Sequence, residues 1–232
     1  YSKQFAIDPG FQAPITMPMG NITRSCLRIW RVLEGSGSLL RSSSWDEETL
    51  HLEMLHMNWD EDNTKDKVVC LDGAKAIVLD HAIIPEAAFT ISIWMSALEN
   101  EGIVWTLAHE NSKESYSQLQ YLQNGFLKYT YFKTSETVMC NTTKVNDGEI
   151  HHIAASFGNS MLTLYVDGMA CGHNQITYVY SPSLLSIAFG GGFQSSTSLG
   201  DDGETKGLEG CLKLMSLYSF NLDAREINHI RQ

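Results

Sequence analysis

The chain has 232 residues, and 16 Lys and Arg stand against 27 Asp and Glu, a formal net charge of −11. At 43% hydrophobic and 19% charged it can bury a full core, which excludes a disordered segment. The acidic balance argues against nucleic acid or an anionic membrane as partner, because either surface would repel it. A chain of this length suits one large all-β or α/β domain, or two small ones. No apolar run approaches the roughly 20 residues of a membrane helix, so no membrane insertion is expected. The opening YSKQFAIDPG lacks the charged-then-apolar pattern of a signal peptide, and fits a mature N-terminus or the edge of a domain. The number of cysteines is odd, so at least one stays unpaired if the others form disulfides.

Residues 1–66 are irregular. A Pro/Gly/Met-rich start is followed by LRIWRVLEG, the serine tract Ser42-Ser43-Ser44, and WDEETLHLEMLHMNWDEDN. Leu50, Leu52, Met54, Met57 and Trp59 fall mostly on alternate positions there, which predicts a strand with one wet face; Leu52, Leu55 and Trp59 also match a helical stripe. From Val68 the pattern is plainer. KVVCLDG stops at an Asp-Gly turn, AKAIVLD and FTISIWMSA alternate, and GIVWTLAHE is apolar and β-branched. YSQLQYLQNG ends in the hairpin signal Asn-Gly, and FLKYTYFK resumes the alternation. TVMCNTTKV, the turn Asn146-Asp147-Gly148 and EIHHIAASF predict a second hairpin, and Gly158-Asn159 leads through MLTLYVDG to a third. LLSIAFGGG and GCLKLMSLYSF follow, and only LDAREINHIRQ looks helical, with Asp223 as N-cap. Roughly a dozen short strands separated by turn residues every 8 to 12 positions, with no alternating helices, predict an all-β antiparallel sandwich. Residues 1–66 are expected to pack on it or add strands, and residues 67–232 to form it.

Six ordered blocks carry a family resemblance. They are Val69-Cys70-Leu71-Asp72-Gly73 with Ala76-Ile77-Val78-Leu79; Phe89-Thr90-Ile91-Ser92-Ile93-Trp94-Met95; His151 to Phe157 with Met161 to Gly168; Gly190-Gly191-Gly192; Gly207 to Leu214; and Asn221 to Ile227. In this order they resemble the blocks of laminin G-like domains and pentraxins. The resemblance implies a concanavalin A-like jelly roll of two antiparallel sheets, usually found outside the cell in adhesion, matrix or receptor proteins. It also implies a disulfide between Cys171 and Cys211. Cys70 and Cys140, both in predicted strands, are then one candidate pair, and Cys26 with either of them is the other; the sequence leaves these alternatives open. The alternative to disulfides is five reduced thiols in an intracellular domain. The acceptor sequons Asn21-Ile-Thr and Asn141-Thr-Thr favour secretion, and Asn141 is expected to face solvent.

Calcium is the candidate cofactor. The position at which laminin G-like domains carry a calcium carboxylate falls near Tyr116, with Glu114 two residues earlier, so the chain departs from that pattern. The loop Gly200 to Glu204 supplies Asp201, Asp202 and Glu204, a donor set that suits a hard cation taking six to eight oxygens; the alternative is a solvated acidic loop. His51 and His56 are five apart, and His151 and His152 are adjacent and point to opposite sheet faces, so none of these forms a zinc set with a cysteine. Glycosidases of concanavalin-like sandwiches place carboxylates at i and i+4 around a third acid. Glu47-x-Thr49-x-His51-x-Glu53 is the nearest approach, but it lacks the middle acid and lies outside the matched blocks; an enzyme would use Glu47, Glu48 or Glu53. The expectation is a non-enzymatic extracellular module that binds a protein or glycan ligand through rim loops, with Glu114, Tyr116, Asp201, Asp202 and Glu204 as rim candidates. At −11 the partner should present a basic surface or be held through a cation. The rivals are an intracellular concanavalin-like scaffold domain and a carbohydrate-active enzyme.

Overall fold

The computed structural model describes residues 26–31, 39–41, 51–54, 58–61, 67–73, 77–82, 88–98, 100–109, 115–132, 134–177, 185–191 and 206–231. Among these residues the strands in chain order are β1 (Cys26–Arg31), β2 (Leu39–Arg41), β3 (His51–Met54), β4 (Asn58–Glu61), β5 (Lys67–Asp72), β6 (Ile77–Ala82), β7 (Ala88–Ala97) and β8 (Gly102–His109). They continue with β9 (Ser115–Tyr121), β10 (Leu127–Tyr131), β11 (Glu136–Cys140), β12 (Ile150–Gly158), β13 (Met161–Val166), β14 (Met169–Gln175), β15 (Leu185–Phe189) and β16 (Glu209–Tyr218), before the helix α1 (Ala224–Ile230).

These strands make two eight-stranded antiparallel sheets. The first runs β14-β13-β12-β7-β16-β5-β4, with β1 also paired to β16; the second runs β11-β10-β9-β8-β15-β6-β3-β2. β16 is long enough to hold β5 against its first half and β1 against its second. The layers and the C-terminal helix are those of a concanavalin A-like jelly-roll sandwich. Alternation sets its interior: Ile153, Ala155 and Phe157 on β12 share a core with Leu162, Leu164 and Val166 on β13, and with Trp105, Leu107, Leu119, Tyr129 and Phe189 from the second sheet.

Two stretches fold otherwise than the sequence suggests. The segment around Leu50–Trp59 is two strands in different sheets, since β3 pairs with β6 of the second sheet and β4 with β5 of the first. Nor are β11 and β12 a hairpin. β11 is the edge strand of the second sheet and β12 is interior to the first, so residues 141–149 cross between the layers. Alternation reports which face a strand buries, and both sheets of a sandwich bury one face.

The cysteine pairing is also corrected. The bridges are Cys70–Cys211 and Cys140–Cys171, not Cys171–Cys211 or Cys70–Cys140. Cys171 lies on edge strand β14, four strand spacings from β16 through β13, β12 and β7. At about 4.8 Å each, that is roughly 19 Å, beyond any disulfide. Cys70 and Cys211 are register partners across β5 and β16, with Cα atoms 4.0 Å apart. Val69, Leu71 and Leu212 belong to the core, so both of these cysteines point outward. Cys140 instead shares the inward parity of Val138. Its partner reaches it through a β-bulge: Leu164 opposes Gly172 and Tyr165 opposes Ala170, leaving Cys171 as the extra residue, packed against the core. This second bridge staples the edge of one sheet to the edge of the other. The strands approach so closely there that a Cβ on Gly172 would collide with the Met139 carbonyl oxygen.

The hairpin between β12 and β13 turns in two residues, Asn159 and Ser160, at φ of 52° and 60°. Two positive φ values fit the type I′ turn that matches strand twist, and Ser160 is strained there. Ser160→Gly is therefore expected to raise stability by roughly 0.5 to 1 kcal/mol. A urea midpoint that stays or falls would contradict this turn geometry.

Helix α1 has the expected cap. Asp223 accepts from the N–H groups of Arg225 and Glu226, and Glu226 answers by accepting from the Asp223 N–H at 2.8 Å. Helix and approach segment cover the outer face of the first sheet, where Ala154, Tyr165 and Tyr218 pack with Leu222 and Ile227. Buried hydroxyls bind this approach: Ser156 donates to Leu222 O at 2.8 Å, and Thr90 accepts from the Leu222 N–H at 2.9 Å.

Candidate functional site

One end of the sandwich gathers the ends of β5, β7 and β13, the starts of β12 and β16, and the connections that join them. Asp72 opposes Glu209 across β5 and β16, and the Leu98 N–H donates to Glu209 O at 3.1 Å. The crossing segment 141–149 is held there by backbone bonds, from Gly148 N–H to Ala97 O and from Val145 N–H to Gly125 O, each 3.0 Å. The buried Asn146 amide donates to Asn100 O and Gln123 O, so one side chain locks three connections together. Loops fixed this way form a preorganised surface.

The exposed chemistry of this end is acidic around an apolar point. Asp72, Glu101, Asp147, Glu149 and Glu209 are exposed, against Lys144 and Lys206. Leu98 stands among them, 55% exposed. Arg231 and Asp167 add a tie at the margin, with the Arg231 guanidinium donating to Asp167 O at 2.6 Å.

His151 is the most constrained ionisable group here. Its Nδ1 is 2.8 Å from Asp167 Oδ2 and its Nε2 is 3.1 Å from Asp147 Oδ1. Burial pulls its pKa down, but the hydrogen bonds and charges of Asp167 and Asp147 outweigh burial and hold it above the ordinary value. Burial raises the Asp147 carboxyl, yet the Glu149 N–H and His151 bring it below its ordinary value. Asp167 occupies the positive-φ turn after β13, and its Oδ1 also accepts from the His152 N–H at 3.1 Å.

His152 points the other way. It is fully buried on the outer face of the first sheet, 2.8 Å from Ser92 Oγ through Nε2 and stacked at a tilt on Trp94. Its Nδ1 has no hydrogen-bond partner. Burial, reinforced by the Arg231 charge and opposed by Asp167, lowers its pKa to about 4. It is a packed neutral imidazole. Among the described residues no group of three His, Cys, Asp or Glu is placed to hold a metal.

A laminin G family model, described as the concanavalin A-like lectin/glucanases superfamily, matches residues 71–228. The chain belongs to this superfamily. No curated protein matches it. Among solved structures it resembles Trypanosoma rangeli sialidase in complex with sialic acid, with TM-score 0.65, 12% identity, and coverage of 90% of this chain and 33% of that one. It also resembles a point mutant of HCR/D, with TM-score 0.65, 13% identity, and coverage of 91% of this chain and 52% of that one. The chain thus spans about a third of the sialidase and half of HCR/D, and the likeness is one of fold.

The site residues expected from sequence are not all at this end. Asp201, Asp202 and Glu204 lie outside the described residues, although the flanking Gly190 and Lys206 are bonded at this end, through Val104 O and the Ile103 N–H. Glu114 is also outside them. Tyr116, described in backbone only, lies on β9 beside Ser115, which opposes Ala108, whereas Tyr121 opposes Gly102 at the acidic end. Tyr116 therefore sits at the opposite end of the sandwich. Asn21, Glu47 and Glu48 are outside the described residues, and Glu53 is placed only by its backbone, opposite Leu39 and Val78. Asn141 is exposed. Sequence reading missed Leu98, Glu101, Glu149 and the His151 clasp. The available signal was their position at strand ends that the alternation had already located.

Proposed function

We propose that the chain is a non-enzymatic extracellular interaction module that binds a protein or glycan ligand through the acidic end of the sandwich. The observation that carries this reading is the set of exposed carboxylates on the strand ends and connections that meet beside Leu98, with three of those connections tied together by Asn146. An apolar contact inside a charged rim is the anatomy of a binding patch, and the rim's sign calls for a basic complement. Two disulfides fit an oxidising compartment, hence a secreted or ectodomain location. The superfamily and the resemblance to a sialidase bound to sialic acid support a glycan or glycan-bearing ligand.

The test is to offer the purified domain to arrays of extracellular proteins and of glycans, and to incubate it with sialosides and polysaccharides. Specific binders recovered chemically unchanged are the expected outcome. Release of sugar from any substrate, persisting in independent preparations, would replace this reading with the enzyme.

A further inference from the structure

The seam where β11 meets β14 has two unlike halves. One is closed by polar contacts: the Asn174 amide donates to Thr137 O at 3.1 Å, and the Thr177 N–H donates to Glu136 Oε2 at 2.8 Å. The other, around Cys140–Cys171, exposes Met139 at 38% and Met169 at 67%, which with Leu98 are the exposed large hydrophobic residues among those described. Asn141 directly follows Cys140, is exposed, and carries the acceptor pattern completed by Thr143. Met139 and Asn141 each adjoin Cys140 in sequence, and Met169 lies two residues before Cys171. At about 3.3 Å per residue, all three fall within roughly 10 Å of the bridge.

We propose that Asn141 carries an N-linked glycan that covers the Met139–Met169 half of this seam and keeps it from pairing with a second copy of the chain. The inference rests on the extracellular reading above. In the step itself the Asn141 amide nitrogen attacks the anomeric carbon of a lipid-pyrophosphate-linked oligosaccharide. The carbon–nitrogen bond forms, the carbon–oxygen bond to pyrophosphate breaks, lipid pyrophosphate leaves, and the amide proton passes to a base of the transferring enzyme. A flexible hydrated oligosaccharide over two methionines suppresses association where edge strands and apolar surface meet. Asn141 opens the crossing segment 141–149, so the glycan borders the acidic end on its β11–β14 side.

The experiment uses the chain secreted from eukaryotic cells, with peptide mass mapping at Asn141 and sedimentation over a concentration series. Enzymatic removal of the glycan from folded protein avoids any folding defect of Asn141→Gln. The expected result is an occupied Asn141, concentration-dependent self-association after deglycosylation, and its reversal in a Met139→Ser/Met169→Ser variant. An unmodified Asn141 in secreted, disulfide-intact protein would overturn the inference and leave the extracellular reading standing. Unchanged sedimentation after deglycosylation would overturn the covering role. Five free thiols would remove the extracellular reading itself.

Discussion

Replacing Cys70 and Cys211 together by Ser is expected to lower stability by about 5 kcal/mol, and replacing Cys140 and Cys171 together by about 4 kcal/mol. The ordering follows from the chain each bridge closes, 141 residues against 31, because a longer loop loses more entropy when its ends are tied. The two bridges also do different structural work. Cys70–Cys211 ties neighbouring strands already paired in register, whereas Cys140–Cys171 joins edge strands of different sheets, with the Asn174 and Glu136 contacts beside it. Losing the second bridge should therefore expose backbone amides of β11 and β14 to exchange well before global unfolding. Urea midpoints and amide exchange of the two double variants check this. Costs below about 1 kcal/mol, or exchange spread evenly over both sheets, would contradict the assigned pairing.

The fold should also fail progressively in mild acid because of His152. Its pKa falls from an ordinary 6.5 to about 4 on folding, so between those values the unfolded chain binds a proton that the folded chain refuses. Its contribution is complete above pH 6.5 and is lost as pH falls toward 4, a difference of about 3 kcal/mol. His151 works in the opposite sense. With its pKa raised by Asp167 and Asp147, it stabilises fully below 6.5 and loses that contribution as pH rises through the folded value. Melting temperatures between pH 4 and 8 should thus show a flattened acid limb in His152→Gln, which can keep the Ser92 hydrogen bond. His151→Gln should differ most from wild type near pH 5 and least near pH 8. An acid limb unchanged by His152→Gln would contradict the burial assigned to that ring.

Much of the sandwich was legible in the sequence because a half-buried strand has a period of two and turns have their own residues. The core positions of β7, β12, β13 and β16, the β9–β10 hairpin at Asn124-Gly125 and the Asp223 cap all follow from that local physics. What failed was information about which strands are neighbours. Residues 136–158 read as a hairpin because a two-layer fold puts the same alternation on either side of a layer crossing, and only the sheet order separates the cases. The disulfide error has a sharper cause. Parity already set Cys70 and Cys211 outward beside Val69 and Leu212, and Cys140 inward with Val138. Cys171 alone was hidden, because its inward turn comes from a bulge that leaves no periodic trace. The binding end was half legible. Strand ends located its connections, but the convergence of Leu98, Glu101, Glu149 and Glu209 depends on β7, β12, β16 and β5 lying side by side.

The most direct measurement is the affinity of the strongest array binder for wild type, for a Leu98→Ser/Glu101→Lys/Glu149→Lys variant, and for His173→Ala on the exposed β14 face. A loss of at least about tenfold in the first variant, with wild-type affinity in the second, is the predicted result. Undiminished binding by a correctly folded Leu98→Ser/Glu101→Lys/Glu149→Lys protein would contradict the acidic end as the ligand surface.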